Sequence, residues 1–233
     1  VSLVVPVLIS ARDRPLYLWA TLDNLYRNTR HPHQFTLLDM ASTDPLVRDV
    51  IEGFERRGMF KDIIWSRHND LTMIWTVTRQ LIAGGGPYLA YVESDVVIEP
   101  SNPCWLERLV KLMEENPRLA MLGSAIDQDD FVDLESARRL EPLMPESQLR
   151  ALIKADSPER VQDVRSANST EIFQPHSPAG RVLLFRTQAL CEIPWGPDVE
   201  LHERFMEAGY QTGVASTVRH RHLSLLNIYD YPR

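Results

Sequence analysis

The densest chemistry in the sequence lies in Glu93-Ser94-Asp95. The apolar run Tyr88-Leu89-Ala90-Tyr91-Val92 leads into it, and Val96-Val97-Ile98 resumes the run beyond. Gly84-Gly85-Gly86-Pro87 before it and Pro100 after it fence the stretch, which predicts a short buried strand. Carboxylates at the end of such a strand are costly to bury unpaired. An acid–x–acid step there offers hard oxygen ligands to a divalent cation, Mg2+ or Mn2+. Asp95 is the expected direct ligand, and Glu93 either joins it or reaches a metal-bound water. Two acids that merely meet solvent are the competing expectation. His220 and His222 lie just past the last apolar run, and either would add an imidazole and favour Mn2+. The alternative for each is an ordinary histidine in the basic run Arg219-His220-Arg221-His222.

Other side chains suit anions and protons. Arg12, Arg14 and Arg79 carry guanidinium groups that pair well with phosphate, although taken singly each reads more readily as a surface arginine. Asp39 ends a second apolar run with an acceptor-only carboxylate. It either binds a ligand donor or caps the turn Ser42-Thr43-Asp44. Asn69 and Asp70 form a loop after a third run. Asp198 and Glu200 open a helix, where the dipole alone favours acids.

These residues need a scaffold, and the chain alternates regularly enough to supply one. Residues 1–9 and 35–39 predict strands, as do 62–66 and 88–92. Helices are expected over 16–26, after Pro45, and over 71–82, the last closed by the Gly triplet. Pro6 sits awkwardly in a central strand and predicts an interrupted ladder there. Repeated strand–helix alternation is the pattern of an α/β domain with a mostly parallel sheet flanked by helices. Ligands in such sheets bind beyond the carboxyl ends of the strands, where Asp39 and Glu93-Ser94-Asp95 both fall. A helix over 102–115 and a strand over 120–123 follow. Residues 125–176 are acidic and loosely patterned, with helical pieces near 134–140 and 148–155. They predict a helical insertion, either a lid or acceptor platform or a solvated excursion. Strands over 180–186 and 212–218 and a helix over 198–208 complete the chain.

The motifs in this order resemble the family 2 type glycosyltransferases of the GT-A fold, a Rossmann-like architecture. Val4-Val5-Pro6 through Asp13-Arg14-Pro15 looks like the family's opening. Leu38-Asp39-Met40-Ala41-Ser42-Thr43-Asp44 looks like its second-strand signature, and Glu93-Ser94-Asp95 like its metal step. Pro197-Asp198-Val199-Glu200-Leu201 looks like the helix start that carries its base, and a histidine after the last strand completes the set. Glu93 and Pro197 depart from the usual residues at their positions.

The resemblance implies a single domain over 1–233: a donor half at 1–123, the insertion at 124–178, and an acceptor and catalytic half at 179–233. It implies a Mn2+- or Mg2+-dependent transfer from a UDP-, GDP- or dTDP-linked sugar to a carbohydrate or small-molecule acceptor. Asp198 would be the base of an inverting reaction, with Glu200 as fallback. Asp95, Glu93 and His220 or His222 would hold the metal. Pro6, Arg12, Asp39, Asn69, Arg79, Glu93 and Ser94 would line the nucleotide-sugar site, Asp39 at the base. A retaining reaction, a sugar nucleotidyltransferase and a non-catalytic carbohydrate-binding domain are the alternatives. The nucleotidyltransferase would want a Gly-rich loop, and Ser10 to Pro15 holds no glycine. The Gly triplet precedes a strand instead of following one, which argues against a dinucleotide enzyme.

Composition sets the outer bounds. At 233 residues, with 44% hydrophobic and 24% charged residues, the chain has the make-up of a globular domain. Its net charge of -7 argues against a nucleic-acid partner. No apolar run is long enough to span a bilayer, and no signal peptide is evident. The start at Val1 suggests a piece of a longer chain. Cys104 and Cys191, far apart, fit a reducing cytoplasm better than a disulfide scaffold.

Overall fold

A computed structural model of the chain describes residues 3–127, 134–152, 158–175 and 180–223. The first half is β1 (Val5–Ala11), α1 (Pro15–Asn28), β2 (His33–Met40), α2 (Pro45–Glu55), β3 (Phe60–Ser66), α3 (Leu71–Ile82) and β4 (Tyr88–Glu93). Then come β5 (Val96–Ile98), α4 (Trp105–Glu115) and β6 (Leu119–Ile126). The insertion contributes α5 (Leu134–Leu140), α6 (Glu146–Leu152), α7 (Pro158–Ser169) and β7 (Ile172–Phe173). The chain closes with β8 (Val182–Arg186), α8 (Thr187–Glu192), α9 (Asp198–Glu207) and β9 (Gln211–His222).

The strands form one sheet in the order β3-β2-β1-β4-β8-β6-β9-β5, with β7 on β9. Strands β1 to β4 are parallel, as their strand–helix alternation predicts. Beyond β4 the sheet is mixed: β8 is antiparallel to both β4 and β6, while β6 and β9 run parallel. The first strands are apolar on both faces because both faces are covered. Val7 and Ile9 join the cluster built with Leu18 and Leu22 of α1, Ile51 of α2 and Leu109 of α4. Leu8 joins the opposite cluster with Ile74 of α3, Leu190 of α8 and Phe205 of α9. Pro6 is tolerated because the β1–β4 ladder starts only at Val7↔Ala90, so the missing N–H interrupts little pairing.

Two features fix the acid step. The first is the three-residue strand β5, which pairs with β9 on one side only. Its other edge is completed by side chains of α1. Asn24 Nδ2 donates to the Ile98 carbonyl and Asn24 Oδ1 accepts from the Ile98 N–H, both at 2.9 Å. Thr21 Oγ1 donates to the Val96 carbonyl at 2.9 Å and accepts from the Val96 N–H at 3.1 Å. The helix thus does the work of a neighbouring strand. The second feature is the loop before α1, where Asp13 (φ 50) and Arg14 (φ 53) are both left-handed. Such a backbone costs about 1–2 kcal/mol per non-glycine residue. The Asp13 carboxylate compensates by accepting from Thr43 N–H (2.7 Å), Thr43 Oγ1 (3.3 Å) and Asp44 N–H (3.0 Å). Asp13 N–H in turn donates to Ser42 Oγ at 2.8 Å, so the two loops are stapled together.

In the insertion, α5 and α6 enclose Ala137 and Leu149 in a small core of their own. The following helix, α7, leads into β7, which returns to the main sheet on β9. The part of the expected helical piece past Leu152, and His176, lie outside the described residues.

Candidate active site

A cleft of about 900 Å3 opens at the carboxyl ends of β1, β2 and β4. That volume lies within the range of small-molecule sites. Ser10, Arg12, Asp13 and Arg14 line one part of it, Met40, Thr43 and Asp44 a second, and Asn69, Asp70 and Leu71 a third. Glu93, Ser94 and Asp95 form the remaining wall. These are the rims that strand–helix alternation predicts, since each parallel strand delivers its last residues to the same edge.

The acid step meets a histidine there. Ligand atoms of Glu93, Asp95 and His222 all lie within 4.8 Å of one another. The register explains it: Val96 pairs with His222, so the end of β9 lies beside the turn that carries Asp95. The Leu223 N–H donates to the Asp95 carbonyl at 2.7 Å and ties the two segments together. Asp95 Oδ2 lies 3.2 Å from His222 Nε2 and 3.1 Å from Arg14 Nη1. Burial alone would raise the Asp95 pKa, but the His222 hydrogen bond, with Arg181 and Arg14, holds it below the ordinary carboxylate value. Asp95 Oδ1 is buried with no hydrogen-bond partner among the described residues. Two carboxylates, an imidazole and one orphaned oxygen suit a divalent cation.

Glu93 behaves differently. Burial and the Asp95 charge push its pKa up to about 7, with Arg181 the main opposing influence. Its side chain still keeps 38% of its surface toward the cleft mouth, so solvent screens part of that effect. Arg181 stands just before β8, with its Nε 3.8 Å from Glu93 Oε2. Its carbonyl accepts the Glu93 N–H at 2.9 Å. Behind this group Tyr91 is buried, donating to or accepting from Ser10 Oγ at 2.7 Å and packing edge-on to Trp195 at 4.9 Å. Burial pushes the Tyr91 hydroxyl up, so it stays protonated.

Asp198 opens α9 on the same face of the sheet as Glu93, and its charge reaches both Glu93 and Tyr91. Gly180 is what lets it approach: a Cβ there would lie 2.6 Å from Asp198 Oδ2. The other oxygen, Oδ1, accepts from the Val199 N–H at 2.9 Å.

Several expected residues fall elsewhere. His220 is fully buried beside Ile98, two residues deeper in the sheet than His222, which at about 3.3 Å per residue places it some 7 Å back. Its Nδ1 meets Ser124 Oγ at 2.7 Å, and burial, with Arg181 and His222, pushes its pKa down to about 3. It lies outside the Glu93–Asp95–His222 group. Asp39 reaches the correct rim but points to the α1/α2 face. There its carboxylate accepts from Ser42 Oγ at 2.5 Å and from Ser42 N–H at 3.2 Å. It caps its own turn, and its neighbour Met40 lines the cleft instead. Pro6 lies in mid-strand, paired with Gln34, and Arg79 is in the last turn of α3 over the Trp75 ring. Neither lines the cleft. Glu200 points outward and pairs with Arg204 at 2.8 Å. Arg12, Asn69 and Ser94 line the cleft.

No family model and no curated protein matches the sequence. Solved structures do match by shape. GalNAc-T7, crystallised with UDP, GalNAc and Mn2+, superposes with a TM-score of 0.65 at 13% identity, covering 98% of this chain and 44% of that one. The mannosyltransferase PcManGT from Pyrobaculum calidifontis, in complex with GDP-Man and Mn2+, gives 0.58 at 16% identity, over 91% and 56% of the two chains. Glucosyl-3-phosphoglycerate synthase from Mycobacterium tuberculosis, with Mn2+, UDP and phosphoglyceric acid, gives 0.55 at 15% identity, over 99% and 72%. The chain therefore has the GT-A fold of glycosyltransferases, and it spans about half the length of the first two. No helix among the described residues is long and apolar enough to cross a membrane.

Proposed function

We propose that this chain is a metal-dependent glycosyltransferase of the family 2 type. It moves a sugar from a nucleotide-diphosphate sugar to an acceptor hydroxyl, with inversion. The observation that carries the reading is the grouping of Glu93, Asp95 and His222 at the wall of the cleft, with Asp198 near enough for its charge to raise the Glu93 pKa. Mn2+ or Mg2+ held by those three would supply Lewis-acid stabilisation of the charge that develops on the leaving diphosphate. The site's single imidazole favours Mn2+.

The chain's own groups do the rest. Arg12 and Arg14 face the donor's phosphates across the cleft. Asn69, Asp70 and Met40 bound the space left for the nucleoside. Asp198 takes the proton of the acceptor hydroxyl as its oxygen bonds to the anomeric carbon. The bond from that carbon to the diphosphate oxygen breaks, and its electron pair leaves with the nucleoside diphosphate. Buried Tyr91, with half-buried Trp195 packed edge-on against it, lies behind Glu93 on the face of the sheet that carries Asp198. The thiols of Cys104 and Cys191 are both free, which supports a reducing, cytoplasmic setting.

Calorimetry with UDP, GDP and dTDP, each with and without Mn2+, tests the reading. One nucleotide should bind with an affinity that depends on the metal, and Asp95→Ala should abolish that dependence. Unchanged metal-linked binding in Asp95→Ala would remove the metal assignment. Pyrophosphate release from a nucleoside triphosphate and a sugar phosphate would point to the nucleotidyltransferase instead.

A further inference from the structure

Resting on the donor-site reading above, we infer that Arg14 and Arg181 are resident counter-cations that make divalent-metal binding conditional on the donor diphosphate. Each acid of the site already has a guanidinium of its own. Arg14 Nη1 is 3.1 Å from Asp95 Oδ2 on one side. Arg181 Nε is 3.8 Å from Glu93 Oε2 on the other. That Nε is buried and has no hydrogen-bond partner among the described residues.

A guanidinium cannot shed its proton in a protein. A divalent ion that reaches these carboxylates alone meets two fixed positive charges at close range, in a site partly shielded from water. Once the carboxylates turn to the metal, both of these guanidinium–carboxylate contacts are lost. A diphosphate replaces them, because its oxygens match the guanidinium fork. Each ligand thus removes the other's penalty, and such coupling is reciprocal.

Neither arginine can escape by a shift of its backbone. Arg14 is fixed by the left-handed pair that the Asp13 carboxylate staples to Thr43 and Asp44. Arg181 is tied to the acid strand through its own carbonyl, which accepts the Glu93 N–H. Only side-chain rotation is left to them.

Titration calorimetry of Mn2+ alone, UDP alone and each in the presence of the other tests this on the native chain, Arg181→Gln and Arg181→Lys. The series is run at pH 7 and at pH 8.5, which separates loss of the positive charge from protonation of Glu93. The expected result is opposite in sign for the two ligands. Arg181→Gln binds Mn2+ alone about tenfold more tightly, equivalent to about 1.4 kcal/mol. It binds UDP alone about as the native chain does and UDP in the presence of Mn2+ about tenfold more weakly, so the coupling shrinks about tenfold. Arg181→Lys keeps the charge and stays near the native values. Should Arg181→Gln melt early, Arg14→Gln gives the same comparison from the more exposed side. Mn2+ affinity that is unchanged or weaker in the glutamine variants at both pH values, while the native chain still shows metal–UDP linkage, overturns the inference alone. A native chain that binds neither ligand overturns the donor-site reading and this inference with it.

Discussion

The α1 side chains that complete β5 make a testable claim about what holds the acid step in place. In Asn24→Leu the helix keeps its shape and most of its volume but loses both partners of Ile98. Asn24 is 9% exposed and Ile98 1%, so water cannot readily replace the amide. Each buried backbone group left unpaired costs about 1–3 kcal/mol, which for the Ile98 N–H and carbonyl together means about 2–6 kcal/mol. The added apolar leucine surface offsets about 1–2 kcal/mol of that, leaving a net loss of about 1–4 kcal/mol. For a chain of this size each kcal/mol moves the melting temperature by about 2–4 °C, so a drop of about 2–16 °C is expected. Urea denaturation should show the loss as a lower midpoint at unchanged slope. Thr21→Ser, which keeps the hydroxyl, is the control and should stay close to native. A second readout ties the loss to the site: Mn2+ affinity in the presence of UDP should fall in Asn24→Leu, because β5 sets both the Asp95 turn and the register of His222. A melting point within a degree or two of native would refute the claim that these side chains replace a strand.

Other outcomes follow from the same geometry. Asp198→Asn should leave donor binding intact and lower turnover by about 10²–10⁴-fold, measured by product formation at saturating donor. Gly180→Ala places a methyl 2.6 Å from Asp198 Oδ2 and must displace it. Displacements near 1 Å at a reacting centre cost about a hundredfold in rate, and metal-linked UDP binding should survive. Glu93 titrates near neutrality, so Mn2+ affinity should rise as pH climbs through about 7. The linked effect on stability has a definite sign. The Glu93 pKa in the folded chain lies above its ordinary 4.5, so the folded state holds the extra proton between about 4.5 and about 7. Through this group the metal-free chain loses stability as pH rises across that window, and a melt series with and without Mn2+ reads it.

The parallel half of the sheet was legible because its signals are local. Apolar runs, helix caps and breaks between them place β1 to β4, and parallel pairing then brings every carboxyl end to one edge. Which side of the sheet a residue faces was less accessible. Asp39 differs from Met40 by one position, and that step sends its carboxylate to the α1/α2 face and the methionine into the cleft. The same limit applied to the histidines. Both are on one face of β9, and only the pairing of Val96 with His222 selects which one meets Asp95. Arg181 carried no signal at all, because its place depends on β8 running antiparallel to β4, and that direction leaves no mark in a short apolar run. Arg79 was misplaced for a simpler reason. The cleft receives the first turn of α3, and an arginine in the last turn is carried away from it by the helix rise of about 1.5 Å per residue.

One helix links the two sides of the site. The first turn of α1 begins at the left-handed pair that delivers Arg14 to Asp95. Its next turns carry Thr21 and Asn24, which hold the strand leaving that same aspartate. The adjoining stripe of α1 buries Leu18, Leu22 and Leu25 in the core and fixes the helix against the sheet. The anion-facing loop and the metal-facing acids are therefore referenced to one rigid body instead of to two loops. A displacement of α1 would move both together and preserve the separation between guanidinium and carboxylate, the distance on which coupled binding of a diphosphate and a cation depends.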